Sequence, residues 1–227
     1  MAGSRLSRGG IAVSVAHLDA IDWTACGMVL HPSELGYARS CRNGKSAAQF
    51  VAGRLLLRAT LSWCATCPPF SFAFRVDHVG MPQLIDNPWS FYFSVSHSSD
   101  LAAVAVSAAP VGIDVERVSC DFDWFHIAVQ LLHPREAEFL MDPSTPDPTA
   151  EFFRIWTRKE ALLKATSAGI SADLHACAAL GDGPIDVPNS TIAWHLVDIP
   201  ARHGYAAALA TSHSQPDIVY LPVAQLW

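Results

Sequence analysis

Asp114 and Glu116 stand in "VGIDVERV" (111–118), a stretch otherwise made mainly of branched aliphatic residues. Residues i and i+2 of a strand project from one face, so the two carboxylates point together while Val111, Ile113 and Val115 point the other way. Side by side they repel. A hard cation between their oxygens removes that penalty, as Mg2+ does when one or two carboxylates, waters and phosphate oxygens complete its shell. The alternative is a strand end with both acids solvated, or paired with Arg117.

A second set lies in "EFFRIWTRKEALLK" (151–164). At about 100° per residue, Ile155, Trp156, Leu162 and Leu163 form one apolar stripe, and Glu160 and Lys164 share the neighbouring one. As an i, i+4 pair these two could simply be a surface bridge worth about 0.2–0.5 kcal/mol. Lys159 falls among the apolar residues, where an ammonium must snorkel or meet an anion. Two lysines and a carboxylate at the border of an apolar face form a reasonable phosphate site. "SVSHSSD" (94–100) adds Ser96 and His97 at a strand end; the His is either a hydrogen-bonded structural residue or a group reaching the same ligand. Arg54 and Arg58, one helical turn apart, form either a solvated face or an anion contact.

The elements that must carry these residues are readable from periodicity. Apolar spacing predicts a long helix over 46–63, preceded by a helix start at Pro32–Ser33. "LAAVAVS" (101–107), a turn at Ala109–Pro110 and "VGIDVERV" are expected to be adjacent antiparallel strands. "HPREAEFL" (133–140) predicts a short helix starting at His133–Pro134, and a second long helix is expected from about Ala150 to Gly169. "TIAWHLVDI" (191–199) and "GYAAALAT" (204–211) read as strands. Each half thus offers a long helix beside strands. The fold class expected is α+β, a pseudo-duplicated arrangement of two subdomains (1–112 and 113–227), each a long helix packed on a mostly antiparallel sheet. The site would lie at their boundary, near residue 112; no residue-level repeat is evident.

Composition narrows the function classes. With 227 residues, 51% hydrophobic, the chain can bury one sizeable core or two small ones. A net charge of -6 argues against a broad grip on a phosphate backbone, so no nucleic-acid partner is expected, although a local basic pocket is compatible. The N-terminal "MAGSRLSRGGIAVSVAHLDA" lacks a convincing cleavage region, and no stretch has the apolar length of a membrane span. A cytoplasmic protein with no membrane association is expected. The six cysteines are scattered, which argues against a disulfide framework, and "CATC" (64–67) lacks a second ligand pair, so buried thiols are expected.

Taken together, "FSVSHSSD", "VGIDVE" and "FRIWTRKEALLKATSAGI", supported by "GRLLLR" and "HVGMPQL", resemble the 4'-phosphopantetheinyl transferases of the larger, surfactin-synthetase-activating type. The resemblance covers about residues 31 to 170. It implies transfer of the phosphopantetheine arm of coenzyme A to a serine of an apo acyl or peptidyl carrier protein, with release of 3',5'-ADP, by a monomer. It implies Mg2+ held by Asp114, Glu116 and Glu160, Glu160 as the base for the carrier serine, and Lys164 on the phosphate oxygens. It further implies that His97, with Ser96 beside it, binds the 3'-phosphate, and that Lys159 serves the coenzyme.

The sequence departs from that pattern at three places. Met81 replaces a common Lys, and Gln49 a common Arg, leaving Arg39, Arg42, Lys45 and Arg54 to make up the charge, with Arg39 and Arg54 placed at coenzyme A. Ser167 replaces the first Gly of Gly-x-Gly, while Gly169 can still make the turn. Two other functions use the same residues: a non-catalytic module binding coenzyme A or a carrier protein, and a Mg2+-dependent hydrolase of a nucleotide pyrophosphate. Phe122, Trp124, Phe125, Leu131 and Leu132 either dock the carrier or fill the core.

Overall fold

The structure, a computed structural model, describes residues 4–7, 9–76, 82–166, 174–181, 183–188 and 190–223. In chain order the first elements are β1 (Gly10–His17), the one-turn α1 (Cys26–Val29), α2 (Pro32–Ser40), α3 (Gly44–Ala65), β2 (Ala73–Val76), β3 (Pro82–Ile85), β4 (Tyr92–Ser98) and β5 (Leu101–Ser107). Then come β6 (Val111–Arg117), α4 (Trp124–Leu131), α5 (Pro134–Met141), α6 (Pro148–Thr166), β7 (Ile185–Asp186), β8 (Ala193–Asp198), β9 (Tyr205–Thr211) and β10 (Asp217–Tyr220). The chain is a mixed α+β protein that divides into two compact units, 1–109 with 216–227, and 110–215. This differs from a boundary after residue 112: Val111 and Gly112 lie inside β6, and the C-terminal strand returns to the first unit.

In the first unit the sheet order is β10–β1–β5–β4, parallel between β10 and β1 and antiparallel elsewhere. The helix predicted over 46–63 is α3. Asn43 caps it, its side chain accepting from the Ser46 amide at 2.8 Å. Leu55, Leu56, Leu57 and Leu61 are fully buried in the core that α3 shares with β1 and β5. Within that core the Ser14 and Thr60 hydroxyls satisfy each other at 2.8 Å.

The second unit is a sheet of order β6–β9–β8–β7, antiparallel throughout, with α6 on one face. Pro148 starts α6 and Asp147 caps it, accepting from the Ala150 amide at 3.0 Å. Phe152, Phe153 and Ile155 pack with Ala128, Leu132 and Leu140 from α4, α5 and the link between them. Further along, Ala161, Leu162 and Ala165 pack with Trp194, Leu196, Ala208 and Ala210.

The expected pairing of 101–107 with 111–118 is not formed. Both edges of β5 are taken, by β1 and β4, while β6 pairs with β9, from Val111 opposite Thr211 to Arg117 opposite Tyr205. The hairpin partner of β5 is β4, whose tight turn places Ser99 at a left-handed φ of 52°. Among the described residues no helix is long and apolar enough to cross a membrane. All six cysteines are free thiols; Cys64 and Cys177 are buried, and burial pushes the Cys64 thiol up to about 12.

Candidate active site

Strand β6 is buried from Val111 through Val115 and emerges at its end, Glu116 half-buried and Arg117 exposed. Gly112 decides what lies against it. A Cβ there would stand 2.0 Å from the Ala161 carbonyl oxygen and 2.6 Å from the Ala165 amide nitrogen, so the backbone of α6 rests directly on the strand. The neighbouring strand helps, since Gly112 pairs with Ala210 and Asp114 with Ala208, both fully buried small residues.

Glu160 and Lys164 each precede one of the two alanines that touch Gly112 and ride on the same contact. The Lys164 ammonium donates to Asp114 Oδ1 at 2.7 Å and to the Ile113 carbonyl at 3.2 Å. Asp114 is 3% exposed, a burial that a carboxylate tolerates only when paired. Burial raises the pKa of Glu160, the Asp114 carboxylate adds to the rise, and Lys164 opposes it. Asp114, Glu160 and Lys164 are therefore brought together.

Among the described residues no three His, Cys, Asp or Glu side chains gather as a metal site. Glu116 shares the face of Asp114 but lies toward the emerging end of β6, and Lys164 supplies the counter-charge at Asp114.

The raised Glu160 sets the sign of a stability effect. With the folded-state value above the unfolded one, its contribution is fully present below the ordinary Glu range and is lost as pH rises through the raised value. Glu160→Gln in EDTA is therefore expected to melt higher than the parent near pH 7, with the difference vanishing as pH falls to about 4. Paired melts at both pH values check this; equal melting at pH 7 would show that the carboxylate carries no strain.

Lys159 is not placed to receive a phosphate. It is 2% exposed, and its anion is Glu136 of α5, at 2.9 Å; it also donates to the Cys177 carbonyl at 2.5 Å. The sequence reading missed Glu136 and Arg158. Glu136 is fully buried and accepts from the His133 amide at 2.8 Å and the Ala179 amide at 2.6 Å. Its position three residues after His133 is a capping-box signal that could have found it. Arg158, 2% exposed, grips Asp198 with both Nε (2.6 Å) and Nη2 (2.8 Å) and donates through Nη1 to the carbonyls of Ala179, Leu180 and Gly181. No local pattern marks Arg158, because its partners come from the segment after α6 and the end of β8.

The remaining candidates lie in the first unit. Ser96 and His97 are not side by side: both are inside β4, where successive residues face opposite ways, Ser96 buried and His97 exposed. Arg39 is exposed on α2. Arg54 and Arg58 are not a solvated face. Arg58 is 1% exposed and bonds Glu34 at 2.7 Å and the carbonyls of Pro69 and Phe72. Arg54 lies 3.7 Å from Glu34 and over the rings of Phe50 and Phe74, and burial lowers its pKa. Arg54 thus has a protein carboxylate for its anion. Gln49 donates to the Ser99 carbonyl at 2.9 Å. Met81 and the segment 167–169 lie outside the described residues.

The apolar stretch between the acidic pair and α6 is partly core and partly surface. Leu132 is 1% exposed in the core, while Phe122, Phe125 and Leu131 are 39%, 48% and 41% exposed.

The 4'-phosphopantetheinyl transferase superfamily model matches residues 110–210, the stretch that contains Asp114, Glu160 and Lys164. The chain is 34% identical over 128 residues to 4'-phosphopantetheinyl transferase gsp of Aneurinibacillus migulanus, covering 56% of this chain and 52% of that one. The match thus spans about half the length of that relative. It is 32% identical over 188 residues to 4'-phosphopantetheinyl transferase HetI of a Nostoc species, covering 81% of this chain and 78% of that protein. A crystal structure of holo-[acyl-carrier-protein] synthase from Thermotoga maritima superposes with a TM-score of 0.35 at 16% identity, covering 47% of this chain and 69% of that one, too loosely to carry an argument. The extent and identity of the match to the Nostoc protein, together with the family model over the buried acid–lysine cluster, establish that this chain belongs to the 4'-phosphopantetheinyl transferase superfamily.

Proposed function

We propose that the chain transfers the 4'-phosphopantetheine arm of coenzyme A to a serine of an apo acyl or peptidyl carrier protein in a Mg2+-dependent reaction that releases 3',5'-ADP. The observation that carries this reading is the Asp114–Lys164 contact with Glu160 beside it, inside the stretch matched by the family.

The donor chemistry fits Mg2+. Asp114 and Glu160 repel each other in a buried setting, and this ion commonly takes one or two carboxylates while keeping its waters. Glu116, on the same face of β6, is the further oxygen donor in this reading. Bound there, Mg2+ would draw charge from the pyrophosphate oxygens. Lys164 has an ammonium able to leave Asp114 for the phosphate oxygens and neutralise charge as the leaving nucleotide departs. Glu160, made more basic by burial, takes the proton of the carrier serine as its Oγ bonds to phosphorus and the P–O bond to 3',5'-ADP breaks.

Intact-protein mass spectrometry tests the reading: an apo carrier is incubated with the enzyme, coenzyme A and Mg2+, with an EDTA control. A metal-dependent gain of one phosphopantetheine is expected. Coenzyme A binding without any gain across several carrier classes would point to a binding module, and nucleotide released without carrier to a hydrolase.

A further inference from the structure

We infer that the buried Glu136–Lys159 pair is a positioning device for the proposed site, fixing the rotation of α6 so that Glu160 and Lys164 face Asp114. The inference rests on the proposed function above. A helix turns by about 100° per residue, so an error of one residue in seating would carry Glu160 off the face of β6. The Gly112 contact sets how closely α6 approaches β6, and the apolar stripe of Ile155, Leu162 and Leu163 is a broad band whose rotation directional bonds can refine.

Two consecutive cations narrow that range from different sides. Arg158 is tied to Asp198 at the end of β8, and Lys159 to Glu136 on α5 and to the Cys177 carbonyl. Residue 160 follows directly. Glu136 is itself held rigidly, since its two oxygens also accept from His133 and Ala179. A buried ion pair contributes little net stability over an apolar pair of the same volume, and its best-attested use is to fix register.

The device occurs twice. "HPSE" (31–34) and "HPRE" (133–136) each begin a short helix with a capping box, and each places a buried glutamate against a cation of the following long helix. In the first unit Glu34 holds Arg58 at 2.7 Å, and in the second Glu136 holds Lys159 at 2.9 Å. These residues are positioning residues: they bond one another, Asp198 and backbone groups, and act on Glu160 and Lys164 through α6.

The test is the double variant Glu136→Gln/Lys159→Met, which removes both charges and leaves neither alone in the core. Thermal melts, steady-state transfer and Mn2+ affinity by electron paramagnetic resonance are measured beside the parent. The expected result is a cooperative melt with kcat lower by about tenfold or more and the KM for coenzyme A little changed, as misplacement of a reacting group predicts. Lys159→Arg, which keeps the cation, is expected to retain most of the rate. A double variant with parental kcat would reduce the pair to a packing role and overturn the inference. Should the double variant melt below the assay temperature, Glu136→Asp carries the test by keeping both charges and shortening the reach; parental kcat there overturns the inference equally. If the parent itself transfers nothing, the proposed function fails separately, and Mn2+ affinity decides: about tenfold weakening in the double variant supports positioning and no change refutes it.

Discussion

Lys164→Ala is expected to lower carrier modification by about 10²–10³-fold, the usual loss when one charge-stabilising donor is removed from a reacting centre. The Lys164 ammonium is the cation that Asp114 meets at 2.7 Å. The same change should also cost stability, because Asp114 at 3% exposure loses a charge partner. Removing one member of a buried pair costs about 3–5 kcal/mol, and since the Lys164 side chain is 21% exposed, water can replace part of it, leaving about 1–3 kcal/mol. The two effects separate in Asp114→Asn/Lys164→Met, which is expected to recover melting temperature without recovering turnover. Recovery of turnover in that double variant would remove both residues from the chemistry.

Gly112→Ala is expected to be the most destabilising single methyl addition in the second unit. The new Cβ would meet backbone on two residues of α6, at 2.0 and 2.6 Å, and backbone cannot rotate away as a side-chain tip can. Overpacking into a close-packed core costs about 1–3 kcal/mol and more when the obstacle is rigid, so a loss of about 3 kcal/mol or more is expected. Gly53→Ala is the internal control. Its Cβ would meet only Val95 Cγ1, at 3.2 Å, and an alanine inside a helix recovers about 0.8–1.0 kcal/mol over glycine. Urea titrations followed by circular dichroism should move the midpoint far down for Gly112→Ala and little for Gly53→Ala. A parental midpoint for Gly112→Ala would mean that α6 stands off the strand.

Sequence periodicity located both long helices to within two residues at their starts, because α3 and α6 carry apolar stripes with Asn43 and Asp147 as caps. It also put Glu160 and Lys164 on one stripe, and the family resemblance joined Asp114 to Glu160. Pairing was less legible. Two strands joined by a short link look like a hairpin, but β5 had both edges filled by β1 and β4, a fact that depends on residues far away in the chain. Lys159 could be read as a buried cation in need of an anion, whereas choosing Glu136 over a phosphate required knowing that α5 packs beside α6. Placing Ser96 beside His97 was a different kind of error, since strand alternation alone puts neighbours on opposite faces. The recurrence of H-P-x-E is present in the bare sequence, yet four letters acquire meaning only when both glutamates are seen buried against a cation of a long helix.

The parallel pairing of β10 with β1 sets the order in which the molecule can be completed during synthesis. Residues 110–215 form one continuous unit, so it can close as soon as its last strand has left the ribosome. The first unit is discontinuous, and the edge of β1 from Gly10 to Val13 finds its partner only when Asp217 to Tyr220 emerge. Until then that edge of β1 presents an open ladder to any other chain. The discontinuous unit is therefore the one closed last, with one edge of β1 left unpaired until residues 217–220 arrive.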